Sequence, residues 1–260
     1  MSGELSPIDT AKFVASKRAV EYIEDGMRVG LGTGSTAAWM VRCLGERVRE
    51  EGLTITGVPT SARTADLARQ VGINVVSLDE AKWLDITIDG TDEFDADLCL
   101  IKGGGGAHLL EKIVATASDR MIVIADPSKS VDQLGAFPLP LEVIPFGWQT
   151  SKALVEEMLT SMDVLGHRTT LRMNGNTPFT SDEGNLILDL HLKRIGDARK
   201  LSMVLNQIPG VVENGLFIDI CDVVVVGHGD GRVEVTDINE GTHEEDRIEF
   251  VDTDNIFKDL

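Results

Sequence analysis

Apolar residues return every three to four positions through DTAKFVASKRAVEYI, with Phe13, Val14 and Ala19 on one face and Asp9 placed to cap it. That spacing predicts a helix. The short apolar run MRVGLG then reads as a strand, and STAAWMVRCLGERVRE returns to the helical period. A strand LTITGVPT, a helix SARTADLARQVG, strands NVVSL and LDITIDG, a helix LLEKIVATAS and a continuous apolar strand RMIVIAD follow. Strands that are apolar throughout, alternating with helices, predict a doubly wound, mostly parallel, Rossmann-like sheet covered on both faces.

The pattern changes after LGAFPLP, where Pro138 and Pro140 punctuate the chain. From there the order is strand LEVIPF, helix SKALVEEMLTSM, strands HRTTLRM and NLILDLHL, helix DARKLSMVLNQI and strand VVENGLFI. This βαββαβ order predicts a smaller ferredoxin-like α+β domain inserted near the end of the larger one. DVVVVGHG supplies a buried strand returning to the first sheet. The expected boundaries are 1–136 plus 220–230 for the Rossmann-like domain and 137–219 for the ferredoxin-like domain. Residues 231–260 are expected to form an acidic, solvated tail, with Ile248, Phe250, Ile256 and Phe257 available for docking.

Composition narrows the function classes. Acidic residues number 43 against 24 basic ones, for a net charge of −19, a field that repels nucleic acid and anionic membranes. An anionic substrate must therefore meet a local cluster of positive groups. The same excess of acid suggests adaptation to a salty cytoplasm. The N-terminal stretch has no apolar leader region, and no apolar run reaches the length of a membrane span. Cys43, Cys99 and Cys221 match no metal or redox spacing and suit a reducing cytoplasm.

Ligands of open α/β sheets bind beyond the carboxyl ends of the strands, and three motifs fall there. In GLGTGSTA, glycines permit close backbone approach while Thr33, Ser35 and Thr36 crowd a helix N-terminus, as a phosphate cradle requires. A dinucleotide loop would need a third glycine that this motif lacks. In DGTDEFD, Asp89 and Asp92 suit hydrogen bonding to sugar hydroxyls or proton shuttling, because the spacing fails the calcium-loop pattern at Thr87 and Ala96. In IKGGGGAHLLEKIV, Lys102 precedes four glycines whose N–H groups can hold an oxyanion. Glu111 follows in the first turns of a helix, where the dipole favours the carboxylate that a general base requires. His108 reads as a packing or surface residue, and Lys112 as solvent-facing.

Together GLGTGSTA, DGTDE, IKGGGGAHLLEKIVA, IADPSK, FPLPLEVIPF, GNLILDLH and IPGVVENGLF resemble ribose-5-phosphate isomerase of the A type, from about Lys12 to Gly227. The resemblance implies interconversion of ribose 5-phosphate and ribulose 5-phosphate in the non-oxidative pentose phosphate pathway, with no metal and no cofactor. It implies Glu111 as base, assisted by Asp89 and Lys102. It implies substrate binding by Thr33, Gly34, Ser35, Thr36, Asp89, Gly90, Thr91, Asp92, Lys102, Gly103, Gly104, Gly105, Lys129 and Lys12. A homodimer or homotetramer is expected, with no nucleic-acid or membrane partner. His108 departs from the small or apolar residue expected after the glycines. The alternatives are a non-catalytic sugar-phosphate sensor, which would need a DNA-reading element that this chain lacks, and an aminosugar-phosphate deaminase or acyl-CoA transferase on a similar sheet.

Overall fold

The computed structural model describes residues 5–248. The chain divides into two compact units. One comprises residues up to Gly90, Ile113–Lys129 and Ile220 onward; the other comprises Thr91–Lys112 and Ser130–Asp219.

The first unit is built on an eight-stranded sheet. Its parallel part runs, in spatial order, Val223–Gly227, Met121–Ala125, Ile86–Gly90, Arg28–Leu31, Thr56–Pro59 and Asn74–Val75. Every residue of Met121–Ala125 is buried, as its unbroken apolar sequence requires of a strand covered on both faces. The core joins Phe13 and Val14 of the helix Pro7–Val20, Trp39, Met40 and Leu44 of the helix Ser35–Glu50, and Ile88, Ile122 and Val225 of the sheet. The first helix begins earlier than Asp9. Ser6 is its cap, accepting from the Asp9 N–H, with Pro7 in the first position where its missing donor costs nothing.

The residues from 231 to 248 are not a solvated tail. Arg232–Asp237 pairs antiparallel with Val223–Gly227 and turns Val233, Val235 and Asp237 inward. Thr242–Arg247 then closes the sheet as its edge strand. That edge, THEEDR, is exposed throughout, and its charges block further strand addition. The period-two alternation RVEVTD was the available sign of a strand, masked by the acidic composition around it. Ile248 packs on the first unit's core, while Phe250, Ile256 and Phe257 lie outside the described residues.

The second unit carries a four-stranded antiparallel sheet in the order Val211–Asn214, Leu139–Val143, Leu186–His191, Arg168–Leu171. With the helices Trp148–Leu159 and Ala198–Leu205, this is the ferredoxin-like arrangement. The unit takes in more chain than the expected 137–219. Leu100–Ile101 pairs with both Glu93–Phe94 and Leu216–Phe217 in a separate three-stranded sheet. Ile101 and Leu134 join the core of Leu141, Val143, Leu188 and Leu205. The buried Glu93 carboxylate accepts from the N–H groups of Gly135 and Phe137, drawing the Pro-punctuated segment into the same unit. The run VVENGLFI, expected as one strand, is two strands in different sheets. It breaks at Gly215, where a Cβ would stand 2.3 Å from the Lys102 carbonyl oxygen.

Candidate active site

Within the first unit, three neighbouring parallel strands end at one edge of the sheet, and each leads into a segment that the motifs single out. Beyond Leu31 the chain turns through Gly32–Gly34 into the helix Ser35–Glu50. Gly34, with φ +118°, caps that helix without a side-chain hydrogen bond. Ser35 is exposed and Thr36 half-buried. Orphan N–H groups and hydroxyls at such an end suit an anion. The Thr33 hydroxyl is engaged, lying 2.8 Å from those of Thr60 and Ser61 and 3.2 Å from that of Thr64. Thr33 thus fixes the turn, and its backbone N–H donates to Asp89 at 3.0 Å.

Asp89 is fully buried near the end of Ile86–Gly90, where its Oδ1 also accepts from the Gly90 N–H at 2.7 Å. Gly32 has no freedom to carry a side chain, since a Cβ there would stand 2.1 Å from the Asp89 carboxylate. Lys129 closes a 3-10 turn just beyond Met121–Ala125. Lys12 lies in the first helix next to Ala11, whose carbonyl oxygen stands 2.1 Å from where a Cβ on Gly227 would be. Gly227 ends the neighbouring parallel strand, so this turn of the first helix lies beside the same carboxyl edge.

Within the second unit, Lys102 and Glu111 form a buried ion pair. The Lys102 Nζ lies 3.3 Å from the Glu111 Oε2, with the side chains 2% and 5% exposed. The ammonium also stands 5.5 Å from the centre of the Phe217 ring. Glu111 is in the first turn of the helix His108–Thr116, close to the positive end of its dipole. Between the two charges the glycine turn is held on several sides. Thr91 bonds the Glu93 and Ile101 carbonyls, and the Asp92 Oδ2 accepts from the Gly104 N–H at 2.7 Å. Arg172 donates to the carbonyls of Gly103 and Gly104. A Cβ on Gly103 would stand 2.7 Å from the His108 ring, and one on Gly106 would stand 2.4 Å from the Phe179 ring.

His108 is buried completely beneath this turn. Burial pushes its pKa down to about 4, and nearby Lys112 and Arg172 act in the same direction, so the imidazole is neutral at pH 7. Lys112 is not solvent-facing. It donates to the Glu213 carboxylate at 2.9 Å and the Asn214 carbonyl at 2.6 Å, and burial lowers its pKa. Sequence reasoning missed Arg172, which reaches the turn, and Phe217, which lies against Lys102, because both are far along the chain. Among the described residues, no group of three or more His, Cys, Asp or Glu side chains is arranged to hold a metal ion, and no helix is long and apolar enough to cross a membrane.

A doubly wound α/β unit with a hydroxyl-rich turn at its carboxyl edge, and a second unit with a buried carboxylate–ammonium pair beside a glycine turn, define the class: an α/β protein equipped for proton transfer. Comparison with known proteins narrows it. Residues 56–231 match the family model of ribose 5-phosphate isomerase A (phosphoriboisomerase A). Ribose-5-phosphate isomerase A of Ruegeria sp. (strain TM1040) is 76% identical over 260 residues, covering 100% of this chain and 99% of the relative. The protein of the same name from Jannaschia sp. (strain CCS1) is 70% identical over the same length, with the same coverage. Among solved structures, ribose 5-phosphate isomerase A from Methanocaldococcus jannaschii superposes with a TM-score of 0.78 at 41% identity, over 91% of this chain and 98% of that one. A D-ribose-5-phosphate isomerase in complex with phospho-erythronic acid superposes with a TM-score of 0.80 at 38% identity, over 94% of this chain and 100% of that one. The chain belongs to the ribose-5-phosphate isomerase A family.

Proposed function

We propose that this protein interconverts D-ribose 5-phosphate and D-ribulose 5-phosphate by proton transfer through an enediolate, with Glu111 as the general base. The observation that carries this reading is the buried Lys102–Glu111 pair. Desolvating two charges costs several kcal/mol, which a pair that merely held the fold would not recover over apolar residues of similar size. A buried carboxylate at a helix N-terminus, held ionised by an ammonium, is a base kept ready for a carbon-bound proton.

In this reading Glu111 takes the proton from C2 and returns it to C1, moving the carbonyl from C1 to C2. Lys102 and the open N–H of the glycine turn, that of Gly105, stabilise the oxyanion that develops. Asp89 handles hydroxyl protons and ring opening. Asp92 orients the sugar through the turn whose Gly104 N–H it accepts. Thr91 serves the same turn through its own hydroxyl. Lys12, Lys129 and the segment Thr33–Gly34–Ser35–Thr36 hold the phosphate, and Gly90 lets the chain pass closely. One solved relative is described in complex with phospho-erythronic acid, and a phosphorylated sugar acid is the kind of ligand that such cations and hydroxyls suit.

Glu111→Gln preserves size while removing the base. Followed as conversion of ribose 5-phosphate to ketose, kcat should fall by roughly 10²–10⁴-fold. Turnover near the wild-type rate would end the assignment.

The reading also places the protein in the non-oxidative pentose phosphate pathway of the cytoplasm, as a homodimer or homotetramer. Its three cysteines are free thiols, which suits a reducing compartment. Phe146, 88% exposed, and the exposed Ile144 give the second unit apolar surface of the kind that subunit contacts use. Light scattering on the purified protein measures the subunit number directly, and a monomer would remove the oligomer.

A further inference from the structure

Arg172 follows directly on the strand Arg168–Leu171 and has two employments. One edge of its guanidinium grips Asp189, with Nε 3.0 Å from Oδ2 and Nη2 against Oδ1. Its Nη1 reaches the glycine turn, 2.9 Å from the Gly103 carbonyl oxygen and 3.1 Å from that of Gly104. Asp189 faces Thr170 across the sheet, so the fork is anchored to a pair of strands rather than to a loop. Arg172 and Asp189 side chains are 14% and 18% exposed, so the pair is substantially shielded from water. A planar guanidinium that holds a carboxylate bidentately has a fixed direction for its remaining donors.

Peptide planarity turns that contact into a statement about direction. No peptide bond in the described chain is cis, so each C=O and the N–H that follows it point opposite ways. The Gly103 carbonyl points at Arg172, and the Gly104 N–H on the far side of that plane goes to Asp92 at 2.7 Å. The Gly104 carbonyl also points at Arg172, so the Gly105 N–H must point away from it. Among the described residues that N–H meets no acceptor. A Cβ on Gly105 would meet nothing within 4 Å, whereas one on Gly103, Gly104 or Gly106 would clash. Gly105 is therefore the open position of the turn, and its N–H is a donor presented there.

We infer that Arg172, backed by Asp189, is a positioning residue for the isomerisation: it holds the Gly103 and Gly104 carbonyls so that the Gly105 N–H is aimed at the developing oxyanion. The inference rests on the reading of this turn as oxyanion-holding. It also gives the ferredoxin-like sheet a part in the reaction.

The test compares the wild type with Arg172→Ala, Arg172→Lys and Asp189→Asn, with Glu111→Gln in parallel. Loss of one oxyanion donor costs about 10²–10³ in kcat, so misdirecting it should lower kcat of Arg172→Ala by roughly 10–100-fold, with KM changed far less. Asp189→Asn should move kcat the same way by less. Millimolar guanidinium should restore part of the Arg172→Ala rate where ammonium does not, a rescue that a purely structural tie would not show. Amide exchange should accelerate at Gly104, whose N–H is held on Asp92. If Arg172→Ala does not fold, Arg172→Lys carries the test, because an ammonium cannot hold Asp189 and both carbonyls together. A folded Arg172 variant with wild-type kcat overturns the inference, as does one whose loss lies wholly in KM. Arg172→Ala unimpaired while Glu111→Gln is inactive would end this inference alone. An active Glu111→Gln ends the base assignment whatever Arg172 does.

Discussion

The two glycine-rich turns carry their glycines for different reasons. At the end of Arg28–Leu31 and just beyond it, a Cβ on Gly30 would stand 2.0 Å from the Thr87 hydroxyl and one on Gly32 would stand 2.1 Å from the Asp89 carboxylate. Those glycines make room for buried side chains of the neighbouring strand. Only Gly34 faces open space, and its φ of +118° accounts for it. In the turn after Lys102, Gly103 and Gly106 combine positive φ with rings packed against them, and Gly104 leaves room for Asp92. Gly105 has neither a positive φ nor a neighbour. The first turn is explained by its own fold. The second contains one glycine that the fold does not require, which is where a ligand becomes the economical explanation.

The strongest way to break this comparison is Gly103→Ala. Its φ of +99° and the His108 ring 2.7 Å from the new Cβ combine a backbone penalty with overpacking. Together these should cost about 3 kcal/mol, measurable by urea unfolding. Near-wild-type stability would show that the turn is looser than its contacts imply.

His108 offers a second test through pH. Its folded pKa of about 4 lies below the ordinary 6.5, so between those values the unfolded chain binds a proton that the folded chain does not. Stability contributed by the neutral imidazole is present above pH 6.5 and drains away as pH falls toward 4. Glu142, Glu213, Lys112 and Arg172 surround the ring and do not reverse that sign. Between pH 7 and pH 5 the wild type should lose about 2 kcal/mol more than His108→Gln. Parallel pH profiles would mean that the ring is not held neutral.

Gly105→Ala sharpens the comparison most with the smallest disturbance. Stability should change by less than about 1 kcal/mol and can rise, since alanine restricts the unfolded chain. Meanwhile kcat/KM should fall about tenfold, because a methyl group at the open position would obstruct the substrate. Wild-type kcat/KM in a folded Gly105→Ala protein would remove the substrate from this face of the turn.

Much of the candidate site was legible along the chain because its parts are local. Lys102, the glycines and Glu111 fall within ten residues, and a helix start following four glycines already pairs an anion-holding turn with a dipole-favoured carboxylate. Thr33–Thr36 and Asp89 were legible for the same reason, since each follows or ends an apolar strand. Arg172 was not, being 69 residues from the carbonyl it holds and just beyond a strand whose alternation marked only which side chains face the core. His108 and Lys112 were misjudged or left open because neither burial nor the partners Glu213 and Asn214, about a hundred residues away, leave a periodic trace.

By itself the sequence determined the alternation of strands and helices, the ferredoxin-like order that follows the prolines, and the local chemistry of three turns. These rest on short-range physics: side-chain period, capping and glycine freedom. Only the tertiary structure decided that Arg232–Arg247 completes the large sheet, that Thr91–Lys112 belongs with the smaller unit, and that Arg172 bonds both Asp189 and the glycine turn. Strand partners and buried ion pairs are chosen by which distant surfaces exclude water together, and that choice has no period along the chain.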